Sequence, residues 1–181
     1  MTHALVTVPP HCAKRVGSEI AARIVSVGET ALLAEPLLGI IASRECPGQV
    51  LFETLERVPE WVKAGRVIVS GFHSPLEQQV LRSLLRRQGR AVKVLARGFC
   101  GPHANYHPTL EEREPVASGR MLIISAFAHD VVRTTRATAL ARNRLVLALA
   151  TDIVMPYVAA GSPLEALVAE YQLTGRQCDE H

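Results

Sequence analysis

The chain has 181 residues, of which 48% are hydrophobic and 20% are charged, so it is long enough for one well-buried core and is not a disordered chain. It has no apolar stretch long enough to span a bilayer and no secretory signal at its start, so we expect a soluble, cytoplasmic protein of one domain. The net charge of +3 is well short of a dedicated duplex-DNA binder, and any contact with nucleic acid must therefore be local.

The first thirty residues predict a helical extension ahead of the main domain, which we place at 31–181. Residues 12–27 carry apolar side chains at helical spacing and predict one amphipathic helix. The stripe consists of Val16, Ile20, Ile24 and Val27. Such a helix packs either on the domain or on a partner, and we expect a homodimer.

Five short apolar runs follow, and four helical patterns lie between or after them. The runs are residues 37–42, 66–70, 91–96, 121–126 and 152–159, and the helices are 50–64, 75–88, 138–150 and 163–173. Because the runs are continuous rather than alternating, they are typical of parallel strands covered on both faces. The sequence therefore predicts a Rossmann-like, doubly wound α/β domain with a mainly parallel sheet of about five strands and flanking helices.

Residues 98–118 contain three prolines and predict a long loop with about one helical turn. His103 and His107 have the spacing of one helical face, but a metal site needs three or four ligands and no third is evident. The four cysteines are scattered singly. We therefore expect neither a metal nor a cofactor.

Two helices begin directly after strands with the same Ser-Pro-Leu-Glu pattern. Ser74 and Glu77 predict a capping box at the first, and Ser162 and Glu165 follow Gly161 at the second. Helix starts offer unpaired backbone N–H groups to anions, so both predict a phosphate site, although the capping glutamates compete for the same donors.

Residues 133–144 form a cluster of arginines and threonines that leads into a helix. Arg136, Arg142 and Arg144 could grip phosphate oxygens in pairs, with Asn143 between the last two. A solvated helix face would show the same charge pattern.

Several rings fall just after predicted strands. Phe72 and Phe127 could stack on a base or ribose, and His73 lies where a ligand would sit. An aromatic content of 4% limits any such surface to one or two bases, and the rings could equally cap the core.

The order of segments over residues 38–176 resembles the Rossmann-like domain of the DNA-processing protein A (DprA) family, which loads recombinase onto single-stranded DNA. The matching pieces are residues 40–44, similar to a strand with a Gly-Ser-Arg turn; 67–71, similar to Val-Val-Ser-Gly; 92–98; 106–108, similar to a Tyr-Pro loop; 121–125; 142–144, Arg-Asn-Arg; and 161–162. Residues 72–77 stand where that family has Gly-Ala-Arg-Gly-Ile-Asp. The candidate phosphate-binding residues are Ser43, Arg44, Gly71, Ser74, Arg136, Arg142, Asn143, Arg144, Gly161 and Ser162.

Residues 142–167 are also similar to the phosphoribohydrolases of the lysine-decarboxylase-like (LOG) family. That resemblance implies catalytic roles for Arg142 and Glu165, although Val158 and Ala159 replace two glycines of its phosphate loop.

We therefore expect a binder of nucleotide or single-stranded DNA phosphates. The alternatives are a nucleoside-monophosphate hydrolase and a nucleotide-sensing or structural module.

Overall fold

The computed structural model describes residues 4–101, 104–105 and 108–172. In this part of the chain, nine strands, seven α-helices and one 3₁₀ helix (Thr30–Ala34) are formed. The strands are β1 Ala4–Leu5, β2 Val25–Gly28, β3 Leu37–Ile40, β4 Val67–Ser70, β5 Arg90–Val94, β6 Cys100–Gly101, β7 Ala104–Asn105, β8 Met121–Ser125 and β9 Asp152–Val154. The helices are α1 Pro10–Val16, α2 Ser18–Ala21, α3 Gly48–Lys63, α4 Pro75–Arg86, α5 Leu110–Ala117, α6 Arg136–Leu149 and α7 Pro163–Gln172.

The main sheet has the order β1-β2-β8-β5-β4-β3-β9. Its last five strands are parallel and correspond to the five apolar runs, which confirms the predicted Rossmann-like fold. β1 and β2 add two antiparallel strands at the β8 edge, so the sheet is larger than predicted. β6 and β7 form a separate hairpin.

Helices cover both faces of the sheet. Val67 and Val69 of β4 pack in one core with α1, α6 and α7, whereas Ile68 packs in the other with α3, α4 and α5. Every strand of the parallel part is therefore buried on both sides, which explains why its sequence reads as an uninterrupted apolar run.

The prediction of a single helix over residues 12–27 is wrong, because two short helices cover this segment only as far as Ala21. Gly17, with φ of 81°, separates α1 from α2, and the following residues form β2, paired with β8 from Val25↔Ser125 onward. The first thirty residues thus contain two strands of the main sheet as well as two helices.

The segment after β5 also differs from its prediction. Instead of one helical turn it contains α5, an eight-residue helix started by a capping box between Thr109 and Glu112. The prolines of the segment suggested a loop, but Pro108 lies outside the helix and Pro115 is accommodated near its end.

Candidate phosphate-binding site

A cavity of about 530 Å³ lies beyond the carboxyl ends of β3, β4 and β9. β9 is the neighbour of β3 in the sheet. The helix that follows β3, α3, packs on one face of the sheet, whereas the helix that follows β9, α7, packs on the opposite face. This is the switch point at which ligands bind in open α/β sheets. The described residues that line the cavity are Ala42, Ser43, Arg44, Glu45, His73, Ser74, Glu77, Thr134, Thr135, Arg136, Ala139, Arg142, Asn143, Ala159, Ser162, Pro163 and Leu164.

The loop after β3 is tied to the loop after β9 through Ser43. Its backbone N–H donates to the Tyr157 carbonyl (2.9 Å), and its hydroxyl accepts from the Ala159 N–H (2.9 Å). Ser43 is buried, so this candidate phosphate ligand first of all fixes the shape of the cavity.

The start of α4 borders the cavity, and a carboxylate of the chain itself already binds backbone N–H groups there. The Glu77 carboxylate accepts hydrogen bonds from the backbone N–H groups of Ala42 (3.0 Å), His73 (2.8 Å) and Ser74 (3.4 Å). Glu77 is only 3% exposed and thus acts as an internal anion that joins β3 to α4. Glu77 therefore competes with a phosphate for donors at this helix start, and the phosphate site predicted there stays a prediction.

The start of α7 is used in the same way. The Glu165 carboxylate accepts from the Gly161 N–H (2.7 Å), and the Glu165 N–H donates to the Ser162 hydroxyl (3.2 Å). Gly161 is not part of the cavity lining, and Ser162 is. The chain's own carboxylate therefore also competes with a phosphate at this helix start, and the site predicted there stays a prediction.

The start of α6 is different because no acidic residue lies in its first turn. The Thr135 and Thr138 side chains cap each other's backbone N–H groups, at 3.2 and 2.9 Å. The amides of Arg136 and Ala137 make no hydrogen bond within the described residues. This fourteen-residue helix therefore offers free backbone donors at the cavity.

Arg142 lies further along α6 and points into the same cavity. Thr135, Ala139, Arg142 and Asn143 follow at helical spacing and all line it. Arg142 is 6% exposed, its Nε is buried without a hydrogen-bond partner, and the guanidinium makes no ion pair with any described residue. Burial lowers the pKa of Arg142, an effect that the nearby Glu77 charge opposes.

Gly71 forms the floor under this guanidinium. A Cβ at position 71 would lie 1.7 Å from Nη1 of Arg142, so only glycine leaves room for the guanidinium where it is. Gly71 does not line the cavity itself but determines where its principal cation sits.

His73 and Arg44 meet at the cavity mouth, with His73 Nε2 3.2 Å from Arg44 Nη2. Because a guanidinium only donates, the imidazole accepts and is neutral in this arrangement. Burial, followed by the charges of Arg142 and Arg44, lowers the pKa of His73, and Glu77 acts in the opposite direction.

Three predicted site residues lie elsewhere. Arg144 pairs with Glu170 (2.8 Å) and lines a separate cleft; Phe72 is 5% exposed and packs in the core; and Phe127 does not line the cavity. Phe72 is therefore not available for stacking on a base, and Arg144 is not directed at the cavity. His103, Tyr106 and His107 fall outside the described residues. Within the part that is described, no three His, Cys, Asp or Glu side chains are grouped to hold a metal.

Sequence reasoning did not select the aliphatic part of the lining, formed by Ala42, Ala139 and Leu164, or the carboxylate of Glu45. Ala139 lies one turn before Arg142, so helical spacing alone could have identified it.

The protein is thus a Rossmann-like α/β domain with a cavity at the switch point of its sheet. A buried arginine, Arg142, lines this cavity. Residues 9–164 match the family model described as DNA recombination-mediator protein A, and the chain belongs to this family.

Two solved structures share the fold. The DNA processing protein A (DprA) of Streptococcus pneumoniae superposes with a TM-score of 0.71 at 17% identity, over 98% of this chain and 61% of that one. The DNA processing protein A of Helicobacter pylori, whose structure concerns its mode of single-stranded DNA binding, gives a TM-score of 0.71 at 22% identity, over 95% of this chain and 78% of that one. The chain thus spans about three fifths of the length of the first. No curated protein matches at a significant level of sequence similarity.

Proposed function

We propose that the chain binds the phosphates of single-stranded DNA in this cavity and acts in DNA processing or recombination. The first support is the family match. The second, which carries the proposal, is the buried and unpartnered Arg142 in a cavity that also receives the free amides at the start of α6.

A buried guanidinium without a partner is costly, because removal of a charge from water is compensated only by an opposite charge or by hydrogen bonds. Glu77 is near enough to influence Arg142 but directs its oxygens to three backbone amides. An incoming phosphate would supply the missing acceptor. Arg136 and Arg44, both exposed at the cavity, would contact neighbouring phosphates.

The shape of the site favours a single strand over a duplex. The cavity is concave, so a flexible strand can turn one phosphate toward Arg142, whereas the phosphates of a duplex are held on the outside of a rigid cylinder. None of the described lining residues is Phe, Tyr or Trp. We therefore attribute affinity to phosphate contacts rather than to base stacking.

The hydrolase alternative receives no support from the family match. The Glu165 carboxylate, which that alternative assigns to catalysis, caps the start of α7.

We also propose that the protein is a homodimer and that it works in the cytoplasm. Leu5 is 72% exposed on β1, the edge strand of the main sheet. Because an open sheet edge with an apolar side chain is a pairing surface, this edge would support the homodimer. Sedimentation of the wild type and of Leu5→Lys tests this: a dimer that becomes monomeric in the variant is expected, and a monomeric wild type would contradict it.

The DNA proposal is tested by fluorescence anisotropy with a labelled single strand and the matching duplex. The single strand is expected to bind more tightly, and Arg142→Gln to weaken its binding by about 10- to 100-fold, the equivalent of one charge-assisted hydrogen-bonding group. Arg86→Gln, at the exposed end of α4, removes the same charge away from the cavity and is the matched control. Absence of binding, or equal losses in the two variants, would contradict the proposal.

A further inference from the structure

The cavity has a cationic side and an aliphatic side. Arg142 lies over Gly71, directly after β4, and His73 holds Arg44 next to it. Ala159, Pro163 and Leu164 come from the segment after β9.

Since β3 lies between β4 and β9, the end of β4 under Arg142 is separated from the end of β9 by two strand spacings, roughly 9–10 Å. This separation is comparable to the distance from the phosphate to the base within one nucleotide. A phosphate bound at Arg142 would therefore place the attached base against the aliphatic side.

The size of the cavity agrees with a single small ligand. Its volume of about 530 Å³ lies within the roughly 300–1,000 Å³ of small-molecule sites, far more than one phosphate needs. A run of several nucleotides would not fit inside and would have to cross the rim.

The polar groups of the lining suit one phosphate and one base. Glu45 and Glu77 also line the cavity, and these carboxylates oppose a second phosphate there. The Asn143 side chain makes no hydrogen bond within the described residues, and its amide can both donate to and accept from a base edge.

We infer that the cavity is a single-nucleotide site that takes a free nucleoside monophosphate, which competes with DNA for it. This inference rests on the proposed phosphate site and goes beyond it, because it assigns the aliphatic side to a base and makes the free nucleotide a competing ligand. In a DNA strand the same site would hold one nucleotide turned in from the backbone.

The test is a titration of the full chain with dAMP, followed by calorimetry and by displacement of a labelled single strand. Deoxyadenosine and inorganic phosphate, at matched ionic strength, are the ligand controls. We expect dAMP to bind and to displace the strand at concentrations at least about tenfold lower than either control, because each control engages only one side of the cavity.

Two variants of α6 locate the site. Ala139→Phe fills cavity space beside Arg142 and is expected to weaken dAMP binding at least about tenfold, whereas Ala141→Phe, exposed on the same helix and outside the cavity lining, is expected to leave it unchanged. Circular dichroism of both variants shows whether they fold. Leu164→Ala, which removes most of a side chain from the aliphatic side, is also expected to weaken dAMP binding and replaces Ala139→Phe if that variant does not fold.

The outcomes separate this inference from the proposed function. If the strand binds in an Arg142-dependent way but dAMP binds no better than phosphate, the single-nucleotide site is refuted and DNA binding stands. If dAMP binds and no strand does, the nucleotide site stands and the DNA function fails.

Discussion

The position of the Arg142 side chain depends on residue 71 being a glycine, which has no side chain. The guanidinium occupies the space that a Cβ of residue 71 would fill. The clash involves the flexible end of the arginine, which can move away, and Gly71 is not in the left-handed region that only glycine adopts readily. Fold and site should therefore respond differently to a methyl group at this position.

Gly71→Ala is expected to displace the guanidinium and to weaken single-strand binding about 10- to 100-fold, while the free energy of unfolding changes by less than about 1 kcal/mol. Anisotropy titration and urea unfolding measure the two quantities. Gly48→Ala, where a Cβ meets nothing within 4 Å, is the matched control and should bind normally. Unchanged binding by Gly71→Ala would show that the position of Arg142 does not matter.

His73 is expected to make ligand binding at the site depend on pH. The pKa of His73 is lowered by burial and by the charges of Arg142 and Arg44, against Glu77, with a smaller effect of Lys93 in the lowering direction. The imidazole is therefore neutral in the free protein at pH 7. A bound phosphate would offset the arginine charges and raise this pKa, so binding takes up protons and tightens as the pH falls.

Affinity for the single strand is expected to rise between pH 8 and pH 6, by at most about tenfold per pH unit for one linked proton. His73→Gln should flatten this dependence. The same pKa shift makes folding stability depend on pH in the opposite direction from affinity. Because the folded state disfavours the charged imidazole, the free energy of unfolding falls as the pH drops below the ordinary histidine pKa. Affinity that does not vary with pH, or varies equally in the variant, would exclude proton-linked binding at His73.

At the scale of elements, Glu77 connects the end of β3 to the start of α4. Each carboxylate oxygen accepts from at least one backbone N–H, Oε1 from Ala42 and Oε2 from His73 and Ser74. A glutamine has the same shape but carries an NH₂ group on one side, which would face an N–H donor. One buried donor would then lose its acceptor.

Glu77→Gln is expected to lower the free energy of unfolding by about 1–3 kcal/mol, the cost of an unsatisfied buried group. Glu165→Gln changes the equivalent cap of α7, which is exposed, and should cost less. Urea denaturation of the two variants makes the comparison. Equal losses would mean that Glu77 acts only as a helix cap and does not join β3 to α4.

The parallel strands were predictable from the sequence because burial on both faces leaves a continuous apolar run, as in β4 and β8. β2 was not predictable. Val25 and Val27 fit an alternating strand, but Val27 also fits the end of a helical stripe. Only pairing with β8, over ninety residues away, decides between the two. Local spacing does not contain that information.

The candidate site was predictable in part. The sequence identifies the arginines around Asn143, but not which of them faces the cavity. Residues 142 and 144 are about 200° apart around a helix, so they point to nearly opposite sides. Tertiary packing gives Arg142 to the cavity and Arg144 to Glu170. The capping boxes were also recognisable, but that Glu77 reaches the amide of Ala42 depends on the neighbouring strand.

At the scale of the whole molecule, ion pairs neutralise part of the positive charge that lies outside the cavity. Several arginines away from the cavity are neutralised by carboxylates: Arg66 by Asp152, Arg82 by Glu111, Arg90 by Glu35, Arg120 by Glu114 and Arg144 by Glu170. Arg44, Arg136 and Arg142 have no ion pair within the described residues. A protein with a net charge of only +3 thus keeps a local cationic site.

This distribution predicts a shallow salt dependence. Three arginines that contact three phosphates of a single strand would give a slope of log K against log salt of about −2, because each contact contributes about −0.7. Arg142→Gln should reduce the slope by about one such step and Arg86→Gln should leave it unchanged. Anisotropy titrations at four or more salt concentrations measure these slopes. A slope steeper than about −5 would require seven or more phosphate contacts. Arg44, Arg136 and Arg142 are the only arginines among the described residues that line the cavity, so the strand would then have to contact further surface of the molecule.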